Sequence, residues 1–203
     1  MRIALISSDS LFENLSNRFS SITWIRLKNL NEWDNPDFAD ALFVFDEDAM
    51  HMDYTHISKP VLAHGVADTL RETQQPNHVS RINAWPGFLD RELWELSGQP
   101  NSFHKDFESV TLVKFVWLKD EPGFVTPRTI SMIINEAYFT KEAGVSEVKD
   151  IDIALKLGTN YPFGPFEWAG KIGIKNIYGL LKKLSLHDAR YNPCKLLEKE
   201  ADK

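Results

Sequence analysis

The hydrophobic pattern changes period near residue 120. Before it, apolar positions come in short β-forming runs: residues 2–6 (RIALI), 22–27 (ITWIRL), 41–45 (ALFVF), 61–64, 80–85 and 111–118 (TLVKFVWL). Runs of this length, rich in Ile, Val, Phe and Trp and bounded by polar residues, predict strands. Ser7, Ser8, Asp9 and Ser10 follow the first run, and Leu11, Phe12, Leu15 and Phe19 then recur at helical spacing. The opening therefore predicts a strand, a tight turn and a helix. Short strands in series, joined by helix-compatible links, predict a parallel sheet.

After residue 120 the pattern is helical. Pro122 and Gly123 break the chain, and Pro127 suits the first turn of a helix beginning at Thr126. Ile130, Ile133, Ile134, Ala137 and Tyr138 form one apolar face, and Gly144 ends it. Ser146 is the expected N-cap of a second helix, with Val148, Ile151, Ala154 and Leu155 inward and Gly158 as its stop. A third helix starts at Pro165, a fourth covers residues 174–186, and LLEKEADK reads as a fraying helical end. The fold class is α/β followed by all-α, with domains at 1–119 and 120–203.

Composition narrows the partners. The 203 residues are 43% apolar and 12% aromatic, ample for a buried core. The formal net charge of −6, with Lys and Arg scattered, lacks the footprint of a nucleic-acid binder. Cys194 is the one cysteine, which excludes an internal disulfide and a thiolate metal cluster. MRIALISSDS has no cationic start or long apolar stretch, and no run is long enough to span a bilayer, so the expectation is a cytoplasmic protein without a membrane.

Candidate chemistry is sparse. The first turn stands where a dinucleotide-binding protein carries G-x-G-x-x-G, yet residues 7–12 contain no glycine. Side chains there obstruct close approach of a pyrophosphate, and Asp9 and Glu13 place negative charge near the helix start, which repels phosphate. Asp46, Glu47, Asp48, His51, Asp53 and His56 follow the third strand; they read as a solvated loop, with a metal site as the less favoured alternative. His64, His78, His104 and His187 are isolated.

The ordered residues Asp120, Pro122, Gly123, Phe124, Val125, Arg128, Asn135, Glu136, Ala137, Gly144, Asp150, Ile151, Asp152, Ala154, Lys156, Leu157, Gly158, Tyr161, Pro162, Gly164, Pro165, Phe166 and Glu167 closely resemble the start of the C-terminal domain of the 3-hydroxyacyl-CoA dehydrogenase family, including 3-hydroxybutyryl-CoA dehydrogenases. The resemblance is strong over residues 120–173. It extends weakly upstream to ADALFVFDED and to LWEL, residues 93–96. It implies a shortened Rossmann-like parallel sheet plus a C-terminal helical domain of the 6-phosphogluconate/3-hydroxyacyl-CoA dehydrogenase C-terminal type. It also implies a homodimer through the helical domain, an acyl-CoA ligand and NAD as cofactor.

Carried over residue by residue, the resemblance places Glu95 at the family's catalytic carboxylate and Asn83 at the position of its histidine base. Pro127 falls at the position of its substrate-positioning asparagine. An amide cannot accept and return a proton near neutral pH, and loss of a general base forfeits about 10² to 10⁴ in rate. Only a short link separates the second strand from ADALFVF, and no acidic residue ends that strand to hold a ribose; Asn29 is the nearest polar group. The expectation is a relative without dehydrogenase activity and without a cofactor, acting as an acyl-CoA-binding or regulatory homodimer. The alternatives are an active NAD-dependent dehydrogenase with a shifted base, His64 or His78, and a different enzyme using the acidic, histidine-rich loop.

Overall fold

The computed structural model describes residues 1–203. Its contacts divide into two units, Met1–Glu121 and Pro122–Lys203.

The first unit holds strands β1 (Arg2–Ile6), β2 (Thr23–Leu27), β3 (Ala41–Val44), β4 (Val61–His64), β5 (Val79–Ile82), β6 (Leu93–Ser97) and β7 (Lys114–Trp117), with helices α1 (Asp9–Arg18) and α2 (Ser102–Thr111). They form one sheet in the order β2-β1-β3-β4-β5-β6-β7. All neighbours are parallel except β5 and β6. The pleat sorts the side chains by period two. Ile3 and Leu5 join one buried cluster with Leu15 of α1, Phe19 just after it, and Phe103 and Phe107 of α2; Ala4 and Ile6 join the other. The helix-covered face is aromatic: Phe107 stacks on Phe115 with ring centroids 5.5 Å apart and meets Trp94 at 5.5 Å. A fully buried phenyl ring such as that of Phe107 contributes about 1.5–3 kcal/mol.

The opposite face departs from expectation. The links at residues 28–40, 45–60 and 65–78 contain no α-helix, only the 3-10 turns Leu30–Glu32 and Ala49–His51. Trp33, Met50, Tyr54 and Ile57 from these links bury themselves against the sheet in place of a helix face. The Tyr54 hydroxyl donates to the Ala49 carbonyl at 2.7 Å, which lets a polar ring serve as core.

Other differences have local causes. The fifth strand ends at Ile82, and after one more ladder bond at Asn83 the chain turns, with Phe88 N–H reaching the Trp85 carbonyl. The stretch expected as strand 111–118 begins inside α2, whose Phe103 and Phe107 lie at i, i+4; the strand starts at Lys114. The sheet is not wholly parallel, since β6 returns against β5.

The second unit contains α3 (Val125–Glu142), α4 (Val148–Thr159), α5 (Pro165–Ile172), α6 (Ile174–Ser185) and α7 (Lys195–Ala201). Glu147, not Ser146, occupies the cap position of α4. Gly158 lies within α4, and the stop is Asn160, in the left-handed conformation that Asn tolerates. The residues that define the family pattern do structural work. Asp152 Oδ1 accepts Phe166 N–H at 2.8 Å, and Glu167 Oε2 accepts Gly164 N–H at 2.9 Å, so two carboxylates satisfy the start of α5. That backbone bond, and then Lys156, hold Glu167 below the usual carboxylate range. Asn135 donates to the Asn192 carbonyl at 2.9 Å and accepts Cys194 N–H at 2.8 Å, tying α3 to the segment before α7.

Candidate functional site

In an open α/β sheet, ligands bind outside the carboxyl ends of the strands where the order reverses. Here the reversal is at β1, which has β2 on one side and β3 on the other. The turn leaving β1 is a capped helix start: Ser8 Oγ accepts Leu11 N–H at 3.4 Å, and Asp9 pairs with Arg26 of β2. Past β2, Asn29 Oδ1 accepts Asn31 N–H at 3.0 Å, so its side chain is engaged in the local turn. The unit Met1–Glu121 carries 19 Asp and Glu against 11 Lys and Arg, a field that disfavours anions.

Asn83 and Glu95 are brought together. Asn83 continues the antiparallel ladder, its N–H donating to the Glu95 carbonyl at 3.1 Å, while Nδ2 donates to Glu95 Oε2 at 3.1 Å. Asn83 Oδ1 accepts Trp85 N–H at 3.3 Å. The two residues are 3% and 6% exposed, so the pair is an interior contact between β5 and β6. The amide supplies a donor to the carboxylate and an acceptor to the backbone, but no basic nitrogen. Pro127 lies in the first turn of α3 in the other unit, buried and without a side-chain donor.

The two alternative bases separate. His64 ends β4 at the carboxyl edge, beside Ile82, and its Nδ1 accepts Ala84 N–H at 3.2 Å. Burial pushes it down to about 4, against a bond to the Ile82 backbone, well below the range where a general base works best at neutral pH. His78 precedes β5, at the opposite end of the sheet, with Nε2 3.2 Å from the Tyr54 carbonyl. The acidic loop does not converge: no three of its side chains, nor any others, are grouped to hold a metal ion. His51 pairs with Asp68 at 3.2 Å, and Asp53 accepts Thr55 Oγ1 at 2.6 Å.

One constellation at this edge escaped the sequence reading. Arg81, fully buried on β5, donates Nε to Asp120 Oδ1 at 2.8 Å, Nη1 to the Gly65 carbonyl at 3.1 Å and Nη2 to the Glu121 carbonyl. Asp120 also accepts the N–H groups of Leu70 and Arg71 at 3.1 and 3.0 Å. The only signal was a lone arginine inside an otherwise strand-like VSRI.

In the helical unit a groove of about 420 Å³ opens between α3 and α4, lined by Ile133, Ala137, Ile151, Ala154 and Leu155 with Glu136 at its rim. Phe139, Val145, Ile153, Leu157 and Tyr161, from the same stretch of chain, are exposed, Leu157 to 82%.

A Rossmann-like sheet followed by an all-α unit is the fold this chain shares with the (S)-3-hydroxybutyryl-CoA dehydrogenase PaaH1 of Ralstonia eutropha, which superposes with a TM-score of 0.71 over 98% of this chain and 92% of that one, at 16% identity. FadB2 of M. tuberculosis superposes with a TM-score of 0.73 over 98% of this chain and 84% of that one, at 16% identity. The family model for the 3-hydroxyacyl-CoA dehydrogenase C-terminal domain matches residues 123–203, the helical unit of the chain. The 3-hydroxyadipyl-CoA dehydrogenase of Escherichia coli K12 is 44% identical over 86 residues, 41% of this chain and 18% of that protein. The 3-hydroxybutyryl-CoA dehydrogenase of Bradyrhizobium diazoefficiens is 41% identical over 83 residues, 40% and 28% of the two chains. The match thus spans less than a third of these curated relatives' own length. An Escherichia coli 3-hydroxybutyryl-CoA dehydrogenase structure, 31% identical, aligns over 71% of this chain and 32% of its own, with a TM-score of 0.58. No helix is long and apolar enough to cross a membrane.

Proposed function

We propose that the chain is a non-dehydrogenating relative of the 3-hydroxyacyl-CoA dehydrogenases, acting as an acyl-CoA-binding or regulatory homodimer in the cytoplasm. The observation that carries this reading is the Asn83–Glu95 contact: an amide fills the place beside the carboxylate where the family's base is expected, and both its polar ends are engaged. The glycine-free turn after β1, the Asp9–Arg26 pair and the acidic balance of the sheet unit do not fit NAD, so no cofactor is assigned. Acyl-CoA as ligand rests on the names of the relatives, all enzymes of CoA thioesters. The homodimer is supported by the apolar α3–α4 groove and the exposed Leu157 and Ile153 beside it.

Tryptophan fluorescence titration separates this from an active dehydrogenase. Saturable binding of NADH together with turnover of acetoacetyl-CoA would overturn the reading. A response to acetyl-CoA or a longer acyl-CoA, without one to NADH, is the expected result. The runner-up, an NAD-dependent 3-hydroxyacyl-CoA dehydrogenase using His64, is favoured by the place of that ring at the carboxyl edge of β4. It requires turnover that His64→Gln abolishes.

A further inference from the structure

The sheet lacks a strand at one edge. The standard doubly wound order is 3-2-1-4-5-6, with a strand outside the second one. In this chain the order begins at β2, and the link at residues 28–40 returns directly to β3 on the far side of β1, so nothing is paired to the outer side of β2.

The ladder identifies the backbone groups left there. Thr23 N–H donates to the Met1 carbonyl at 3.0 Å, and in the parallel register Thr23, Ile25 and Leu27 turn their backbone groups toward β1. Trp24 and Arg26 therefore turn their N–H and C=O groups outward. The open stretch is bounded: Lys28 N–H, next in that phase, is taken by Glu32 Oε2 at 2.8 Å, and Ile22 N–H by the Phe19 carbonyl at 3.0 Å. On the sheet's other edge the Glu108 carboxylate similarly accepts Phe115 N–H of β7, at 2.7 Å. Both edges are thus blunted by a carboxylate, but on β2 two consecutive outward residues stay uncovered. Edges of this kind template strand addition.

The geometry points to a second copy of this chain as the occupant, through antiparallel β2–β2 pairing about a two-fold axis at Ile25. The outward residues are symmetric about Ile25, so Trp24 of one copy faces Arg26 of the other as a hydrogen-bonded pair, twice, and every exposed donor meets an acceptor. The side chains complement each other in the same register. Trp24 and Arg26 share the face on which Trp24 packs edge-on to Phe43, at 6.0 Å between centroids, and Arg26 lies 5.5 Å from the Phe12 ring. Each guanidinium would meet the partner's indole, a cation–π contact. On the other face the half-buried Ile25 would meet its own copy as a close non-hydrogen-bonded pair. A parallel peptide or a strand of unrelated sequence gains none of this symmetry.

This contact is separate from the α3–α4 groove and does not depend on the functional reading. Together with the homodimer contact through the helical unit, it would join two such dimers into a tetramer. The test uses the full chain carrying Leu157→Glu, which disables the helical face. Light scattering should show a mass rising from one chain to two with concentration, and adding Arg26→Pro should hold it at one. Proline there removes an outward N–H and leaves the bonds to β1 intact. In the wild-type chain, exchange of the Trp24 and Arg26 amides, followed by NMR, should slow several-fold with rising protein concentration while that of Lys28 stays constant. Exchange at Trp24 and Arg26 that ignores concentration, or a Leu157→Glu mass that Arg26→Pro does not change, overturns the proposal. The exchange readout stands even if the proline variant fails to fold.

Discussion

Removing the Asp120 carboxylate tests the energetics of the carboxyl edge most directly. Arg81 is fully buried and forms an ion pair with Asp120 at 2.8 Å, with Asp120 itself 27% exposed at the side chain. Burial lowers the affinity of the guanidinium for its proton, and Asp120 opposes this. Asp120→Ala removes the carboxylate in direct contact with this buried cation and leaves its bonds to the Gly65 and Glu121 carbonyls, with the Glu72 and Glu121 charges farther off. Breaking one side of a buried pair costs about 3–5 kcal/mol. The partial exposure of Asp120 and the access of water to the Leu70 and Arg71 amides argue for the lower end, about 3 kcal/mol. With a urea slope of about 2 kcal/mol/M, the midpoint should fall by about 1.5 M. Intrinsic fluorescence is a suitable probe, because Trp168 is the one tryptophan outside the sheet unit. Adding Arg81→Met to Asp120→Ala should recover part of the loss, since an apolar side chain needs no counter-charge. A double variant less stable than Asp120→Ala, or a single variant with an unshifted midpoint, would refute the account of this contact.

Gly164→Ala should destabilise the helical unit by about 1–3 kcal/mol, because a Cβ there collides with the Asp152 carboxyl group, which cannot move without releasing Phe166 N–H; an unchanged thermal melt would contradict this. His104 is 2% exposed, accepts Asn101 N–H at 3.1 Å, and is pushed by burial down to about 4, from an unfolded value near 6.5. The unfolded chain then binds more protons between those values, so the stability from a neutral His104 is complete above pH of about 6.5 and declines toward pH 4 at about 1.4 kcal/mol per unit. His64 shifts the same way, and urea midpoints taken across this window should show His104→Gln halving the slope. Asn83→His should leave turnover of acetoacetyl-CoA with NADH absent, since residues 7–12 still carry no glycine for a pyrophosphate to approach; measurable turnover would contradict this expectation.

The elements most legible in the sequence are those set by local pattern. β1, β4 and the start of α5 fall where alternation, apolar runs and Pro165 place them. The α4 boundaries were misjudged by cap chemistry: a serine adjacent to the true start and a glycine inside the helix both imitate punctuation. The helix-free links were illegible because Trp33, Tyr54 and Ile57 recur irregularly, and only the sheet they cover gives them a partner. At the site, alignment to Glu95 placed Asn83 beside it, and the ladder between β5 and β6 supplies the physical reason. The Arg81–Asp120 clasp could not be read, since its halves lie far apart in sequence and converge only when β5 and the chain after β7 are both in place.

The departures from a dinucleotide-binding sheet share one cause. Each crossover that keeps its helix can aim a helix start at the carboxyl edge, where backbone N–H groups cradle a phosphate. The chain retains this arrangement only at α1, where Asp9 and the capping Ser8 occupy it, and the links after β2, β3 and β4 bury aromatic and aliphatic side chains on the sheet instead. The link after β2 returns directly to β3, which leaves β2 as the edge strand with Trp24 and Arg26 facing outward. The helical unit, by contrast, has the start of α5 held by two carboxylates, Asp152 and Glu167. Its pattern is therefore a statement about how five helices pack, and it carries no information on whether the sheet beside it in sequence can hold a nucleotide.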